Sequence, residues 1–162
     1  MTLPFALPGL TRTEAVTDAL HRVLAGFDHN DVDMFKSAFA EGDDVTMEIR
    51  DETNMPPFKG LSAIVNKAFG FVSKLDTTHM ASNIRVFLET DDKASLVCLV
   101  SAQHAPAGRA KEPAGPKYLV GAEYEISLVR ESGAEGLWKI MKWIARVQWA
   151  DGDAGVMKPS SE

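Results

Sequence analysis

Two histidines and an aspartate carry the clearest chemistry in this sequence. His79 lies in the run 76–86, His104 follows 25 residues later, and Asp28 precedes both. An imidazole exchanges a proton near neutral pH, and a carboxylate bonded to one of its nitrogens fixes the tautomer and stabilises the protonated ring. These residue types predict general acid–base catalysis, with His79 as the base and Asp28 within hydrogen-bond reach of it.

Two further side chains are candidates for work on a carbonyl group. His104 or Glu125 can polarise a carbonyl or stabilise an enolate, provided that it is protonated in an apolar site. Structural interpretations stand beside these. His104 precedes Ala105-Pro106 and fits a loop, and Glu125 lies in an alternating segment whose polar face fits solvent. Asp28 also fits a helix terminator, and His79 fits a cap or a partner of a backbone carbonyl.

The elements that must position these residues are mostly helices first and strands afterwards. A helix capped by Thr11 or Thr13 ends near Phe27, because its apolar residues recur at helical spacing. A second helix begins after Asn30 or Asp31. A third helix is predicted over 61–75, and period-2 alternation predicts strands over 45–49, 79–90, 93–105, 117–131 and 136–150.

This order of elements predicts one α+β domain over 1–162. A curved, mostly antiparallel sheet would wrap around three helices as a cone, closed at one end and able to hold a small ligand at its mouth. The core is expected over about 12–150, with loose tails at 1–10 and 152–162. The segment 105–117 is rich in Pro, Gly and Ala, which predicts a mobile loop.

Composition and motifs exclude several classes of function. A net charge of −6 argues against a nucleic-acid partner, and no apolar run is long enough to cross a membrane. Cys98 is the only cysteine, which fits a reducing compartment and gives cytoplasm as the expected location. There is no His-x-x-x-His, no paired cysteine and no Gly-rich phosphate loop, so we expect neither a metal nor an organic cofactor. The alternative is a metal site of two histidines and one carboxylate, formed by His79, His104 and an acid.

Short segments of the chain carry a resemblance to a known family. Thr78-His79-Met80 resembles the segment around that family's catalytic histidine, and His104 falls at the spacing of its second active-site histidine. Phe27-Asp28 resembles the segment whose aspartate supports the catalytic histidine, and Trp138-Lys139 with Gln148-Trp149 resembles the last strand. The family is scytalone dehydratase, in the SnoaL-like branch of the NTF2-like superfamily. The resemblance implies an NTF2-like cone and dehydration without a cofactor.

The resemblance is incomplete where ligands are held. The family places two tyrosines against a water, whereas Phe27 and either Met47 or Ile49 stand there, and none of these donates a hydrogen bond. An aromatic lid like the family's is not evident in 152–157. The expected substrate is therefore a small hydrophobic carbonyl compound or a metabolite of polyketide or terpenoid type, other than scytalone. Its expected contacts are Phe27, Met47, Ile49, Met55, Phe58, Met80 and Trp143.

The expected function is that of a cofactor-independent lyase or isomerase in secondary metabolism, catalysing dehydration, double-bond isomerisation or cyclisation. The alternative is a non-catalytic small-molecule-binding or assembly module of the same fold, for which apolar walls suffice. Strand segments such as 97–100 and 140–144 are apolar on both faces. One face covers the core, and the other predicts a homo-oligomer. A dimer is expected, and the family resemblance gives a trimer as the alternative.

Overall fold

Three helices and six strands form the fold in the residues described by this computed structural model, 4–132 and 136–158. The helices are α1 (Arg12–Asp28), α2 (Val32–Ser37) and α3, which joins Leu61–Ala63, Ile64–Phe69 and Gly70–Val72. The strands are β1 (Thr46–Arg50), β2 (Phe58–Lys59), β3 (Asp76–Leu88), β4 (Lys93–Ala105), β5 (Tyr118–Arg130) and β6 (Trp138–Gly152). A 3₁₀ turn, Ala154–Met157, follows β6.

The strands make one mixed sheet in the order β2-β1-β6-β5-β4-β3. Strands β3 to β6 form an antiparallel meander, while β1 pairs in parallel with β6 and places Met47 opposite Trp143. The register shifts between Ser82 and Arg85, and twice more along β5. Such bulges bend a sheet. The predicted α+β class, a curved and mostly antiparallel sheet packed on three helices, is confirmed.

The first helix begins and ends at residues that suit its termini. Thr11 caps it through a reciprocal capping box with Glu14, and its predicted apolar stripe is buried against the sheet. The helix ends at Asp28, and Asn30 then adopts a left-handed φ of 51°. Asp31 accepts from the backbone N–H groups of residues 33 and 34 and so caps α2. This short connection fixes Asp28 at the end of α1.

A buried arginine ties α1 to its neighbours. Arg22 pairs with Asp18 at 2.9 Å and donates to the backbone carbonyls of Ser37 and Trp138. Burial lowers the pKa of the Arg22 guanidinium, although Asp18 opposes that shift. Because the three partners lie on α1, at the end of α2 and on β6, the side chain joins three elements at once.

The third helix differs from the prediction. The sequence predicts one helix over 61–75, whereas the helix ends at Val72 and its centre, Ile64–Phe69, is π-helical. A π-helix advances about five residues between hydrogen-bonded groups instead of four. This wider repeat matches the buried positions Ile64, Ala68, Phe69 and Ser73, which recur every four to five residues.

Strand boundaries also differ at two points that matter for the site. Strand β3 begins at Asp76, so His79 is the fourth residue of a strand and does not stand at its start. Beyond residue 150, where a loose tail is predicted, β6 continues to Gly152 and the following turn buries Val156. Residues 1–3 and 159–162 of the predicted tails lie outside the described residues. No helix in 4–132 or 136–158 is long and apolar enough to span a membrane.

Candidate active site

The end of α1 meets the first half of β3 in a dense set of hydrogen bonds. Asp28 Oδ1 lies 2.6 Å from Nδ1 of His79, and Asp28 Oδ2 accepts from the backbone N–H of His79 at 2.9 Å. The Thr77 hydroxyl donates to Asp28 Oδ1 at 2.8 Å. A carboxylate accepts hydrogen bonds, so Nδ1 of His79 carries a proton and Nε2 is its basic nitrogen. The geometry is that of an oriented imidazole base.

The electrostatics keep Asp28 ionised. Burial alone would raise the pKa of this carboxyl group. The net effect is a lowered pKa, because the carboxylate is stabilised by the side chain, backbone N–H and charge of His79 and by the Thr77 hydroxyl. The His79 side chain is only 6% exposed, so its imidazole works in a largely dry environment. An ionised partner in such a place stabilises the protonated ring.

His104 lies against the Asp28–His79 pair, called the dyad below, but its hydrogen bonding and protonation differ from those of His79. Its ring stands edge-on to that of His79 with 5.5 Å between centroids, and its Nδ1 lies 3.3 Å from the Tyr118 carbonyl oxygen. Burial, and then the charge of His79, lower the pKa of His104 to about 4. His104 is therefore neutral near pH 7, with Nδ1 donating to the carbonyl and Nε2 left as an acceptor. The idea that a protonated His104 polarises a carbonyl does not fit this arrangement.

A cavity of about 490 Å³ opens beside Asp28 and His104, whereas His79 lies next to these two and is not among the residues that line it. Asp28 and His104 line it, and the remaining lining is largely polar, in contrast to the apolar pocket expected from the sequence. The lining includes His29, Asn30, Ser73, Lys74, Thr77, Gln103 and Lys117. The segment 106–116 borders this mouth, and Asp76 holds it by accepting from the backbone N–H of Ala110 at 3.0 Å.

Three of the predicted site residues lie elsewhere. Glu125 is on the outer face of β5, where it is exposed and pairs with Arg146 at 2.8 Å. Met80 is half exposed because it follows His79 in β3, and successive side chains in a strand point to opposite faces. Met55 is exposed in the loop between β1 and β2. Neither Glu125, Met55 nor Met80 belongs to the site.

The other predicted contact residues are distributed around the core. The Phe27 ring stacks on His79 with centroids 5.5 Å apart, and Trp143 lies 6.5 Å from Phe27. Met47 is buried in the same core cluster, and Ile49 and Phe58 pack against it. None of these five side chains lines the polar mouth. Phe27 and Trp143 are the two that form a wall connected to the dyad.

Sequence reasoning missed Thr77 and Tyr124. Thr77 lies two residues before His79, so the alternation of a strand places both side chains on one face, and this signal was available. Tyr124 is buried on the inner face of β5, edge-on to Trp143 at 4.9 Å. The sequence analysis selected Glu125, whose side chain points outwards, instead of its neighbour Tyr124.

The comparisons with known proteins agree with this architecture. A model of the SnoaL-like domain matches residues 9–144, and the chain belongs to this family. It is 34% identical over 155 residues to the "Terrestric acid biosynthesis cluster protein E" of Penicillium crustosum, with 95% of each chain covered.

Solved structures share the fold at lower identity. A hexachlorocyclohexane dehydrochlorinase, LinA type 2, superposes with a TM-score of 0.69 at 20% identity, covering 92% of this chain and 94% of that one. A provisionally named scytalone dehydratase from Novosphingobium aromaticivorans gives a TM-score of 0.69 at 18% identity, with 92% and 93% covered. An NTF2-like superfamily protein from Salmonella enterica gives 0.67 at 13% identity, with 93% and 96% covered.

Proposed function

We propose that this protein is a cofactor-independent lyase or isomerase that moves a proton on a small hydrophobic carbonyl compound. His79 is the base and Asp28 orients it and stabilises its charge. The observation that carries the proposal is the 2.6 Å contact between Asp28 and Nδ1 of His79, at the edge of a cavity large enough for a small metabolite.

The proposed reaction begins at the carbon next to the carbonyl group. Nε2 of His79 takes a proton from this carbon, the electron pair of the C–H bond forms a C=C bond, and the carbonyl pair moves onto oxygen to give an enolate. Protonated His79 then returns its proton to another carbon in an isomerisation, or to a β-hydroxyl group that leaves as water in a dehydration. In the corresponding cyclisation, the enolate carbon forms a bond to the carbon of a second carbonyl group, whose π pair moves onto its oxygen, and the resulting alkoxide takes the proton from His79.

These steps need no external oxidant or reductant, and the proposal includes neither a metal nor an organic cofactor. The Penicillium relative, named for a biosynthesis cluster, supports a place in the biosynthesis of a small molecule. The dehydrochlorinase neighbour is named for an elimination, which is the reaction class proposed here. A cytoplasmic location is part of the proposal, since Cys98 is a free thiol.

The test is whether the protein labilises hydrogen next to a ketone. α-Tetralone, a compact hydrophobic ketone, is incubated with the protein in deuterium oxide, and incorporation at the α-carbon is followed by mass spectrometry. We expect exchange with the native protein and a loss of about 100- to 10,000-fold in His79→Ala. His21→Ala is the matched control, because His21 is exposed on α1, and it should exchange at the native rate.

A second arm uses a β-hydroxy ketone, whose loss of water gives a conjugated ketone with a stronger ultraviolet absorbance. Treatment with a chelator should leave both activities unchanged. Tight binding of the ketones without exchange or water loss would instead support a binding module of the same fold. Exchange that persists at the native rate in His79→Ala would refute the dyad.

A further inference from the structure

The dyad and His104 leave the proposed reaction without a hydrogen-bond donor for the enolate oxygen. Nδ1 of His79 donates to Asp28, and Nδ1 of His104 donates to the Tyr118 carbonyl. Both Nε2 atoms are then acceptors, and the Thr77 hydroxyl is already given to Asp28. An oxygen on which negative charge develops needs donors placed in advance. Asn30, Lys74, Gln103 and Lys117 supply donors at the polar mouth of the cavity, so donors beside the aromatic wall come from the interior.

One such donor is an indole that the fold leaves without a partner. Trp143 is 1% exposed, and its Nε1 is the only buried side-chain nitrogen or oxygen in the described residues that lacks a hydrogen bond. Almost all buried polar groups in native proteins are bonded, and an unbonded one needs an explanation. The ring lies behind Phe27, which stacks on His79, so Trp143 belongs to the aromatic wall beside the base.

The second donor is the phenol that touches this indole. Tyr124 packs edge-on against Trp143 with ring centroids 4.9 Å apart. It lies on the same inner face of the sheet, opposite Ala145, which is two residues after Trp143 in β6. The hydrogen bonds around the dyad do not include its hydroxyl. Burial, with smaller contributions from Cys98 and Asp28, raises the pKa of Tyr124. The hydroxyl therefore keeps its proton, and it is close enough to sense the charge of Asp28.

We propose that the Tyr124 hydroxyl and Trp143 Nε1–H together form the oxyanion site of this protein. The inference rests on the proposed function. When His79 takes the α-proton, the oxygen that receives the carbonyl electron pair accepts from both donors. The substrate class is thus a ketone whose carbonyl points towards the aromatic interior, with its α-carbon facing His79 and its polar groups at the mouth near Gln103 and Lys117.

The test uses para-nitrophenol, whose planar phenolate resembles an enolate and absorbs visible light. The native protein should favour bound phenolate over bound phenol, seen as a lower apparent pKa of the bound dye. Tyr124→Phe removes the hydroxyl and keeps the ring, whereas Trp143→Phe replaces the indole with a smaller aromatic ring that has no N–H. Each should weaken phenolate binding by about 10-fold or more. Neither should change the binding of para-nitroanisole, which has no ionisable group. Trp138→Phe is the matched control, since Trp138 is also buried on β6.

An independent readout is the indole N–H NMR spectrum, which contains three tryptophan signals. The signal of Trp143, assigned by elimination with Trp138→Phe and Trp149→Phe, should move downfield when para-nitrophenol binds. This assignment keeps the test valid if Trp143→Phe does not fold. A Trp143 signal that stays upfield, as expected for N–H directed at the Tyr124 ring, would overturn the proposal.

Two other results would overturn it as well: unchanged phenolate binding in both variants, or no phenolate binding by the native protein. The outcomes remain separate from those of the dyad. His79→Ala is expected to lose α-exchange while it still binds the dye. Native exchange in His79→Ala would refute the proposed function, whereas the dye and NMR results decide the donor pair.

Discussion

Asp28 performs two tasks with one carboxylate. It accepts from the backbone and the side chain of His79 and from the Thr77 hydroxyl, so it docks β3 on the end of α1 and orients the imidazole at the same time. The structural task needs acceptors only, whereas the electrostatic task needs a negative charge. An amide in its place separates the two.

We therefore predict that Asp28→Asn lowers the α-exchange rate less than His79→Ala does. The amide oxygen retains an acceptor for β3, but the charge that stabilises protonated His79 is lost. Exchange rates and thermal unfolding of both variants measure the two tasks. An Asp28→Asn protein with the native rate would show that the charge is not used.

His104 predicts a specific dependence of stability on pH. Its pKa is lowered from 6.5 to about 4, so between these values the unfolded chain binds a proton that the folded protein does not. The free energy of unfolding should then fall as the pH drops from 6.5 towards 4, by at most about 3 kcal/mol from this residue. Asp28, whose pKa is lowered from 3.8, acts in a more acid range: its contribution is present above 3.8 and is lost as the pH falls through its folded pKa.

His104→Gln should flatten the slope of stability between pH 4 and 6.5, because glutamine does not titrate there. Urea unfolding at several pH values measures the slope. His21→Gln, on the exposed side of α1, is the control and should retain the native dependence. An identical slope in His104→Gln would mean that another group accounts for it.

At the scale of elements, the contact between α1 and α2 decides where Asp28 lies. The two helices meet at Gly26, where a Cβ would come within 2.7 Å of the backbone and Cβ of Phe35. Alanine normally favours a helix over glycine by about 1 kcal/mol. Here the steric effect is larger, because the colliding atoms include backbone that cannot rotate away.

We predict that Gly26→Ala destabilises the protein by about 1–3 kcal/mol despite its better helix propensity. Gly70→Ala is the control, since its nearest contact would be the Val65 carbonyl at 3.4 Å, and its effect should be small. Denaturant unfolding gives both values. A stabilised Gly26→Ala protein would contradict the observed approach of the two helices.

The sequence predicted those parts of the fold that local patterns specify. The apolar stripe of α1, its cap at Thr11 and the alternation in β4 to β6 all identify elements that form as expected. The π-helical centre of α3 was not predicted, since a periodicity analysis assumes 3.6 residues per turn. The start of β3 was missed because Asp76, Thr77 and Thr78 have little apolar character. They are held in the strand by pairing with β4 and by the hydrogen bond from Thr77 to Asp28.

The site was predictable to the extent that its residues carry unusual chemistry. Asp28, His79 and His104 are brought together, whereas Glu125 was selected by type alone and lies on the opposite face. The tautomer of His104 could not be foreseen, because it depends on a backbone carbonyl of the neighbouring strand. Trp143 was expected at the ligand, but its unpaired Nε1 is visible only in three dimensions.

At the scale of the whole molecule, the outer face of the sheet remains partly apolar. Met80, Phe87, Leu99 and Trp149 are exposed there. The Trp149 ring lies against Gly121, where a Cβ would collide with it. The register aligns Met80, Ser101, Gly121 and Trp149 across four strands. Exposed large apolar side chains gathered on one face of a sheet are typical of an interface.

We predict a homodimer that forms through this face. Leu99→Glu should give a monomer of unchanged fold, because it places a charge in the proposed dimer interface. Gln103→Glu is the control: it changes a residue on the polar part of the same face and should stay dimeric. Light scattering at micromolar concentration measures both masses. If the native protein is a monomer, the prediction is wrong. If it is a trimer, the protein is an oligomer but the predicted dimer is wrong.

The position of the last strand has a consequence for how the chain folds as it is made. β6 is the last of the six described strands to be synthesised, yet it lies inside the sheet, between β1 and β5. Until it leaves the ribosome, β1 can pair only with the two-residue β2, and Arg22 lacks the Trp138 carbonyl. The meander of β3 to β5 can form early, but the cone closes only after β6 has been synthesised. Long-range pairings of this kind fold slowly. Because Trp143 arrives with the closing strand, an incomplete chain has neither a finished core nor a finished interior site.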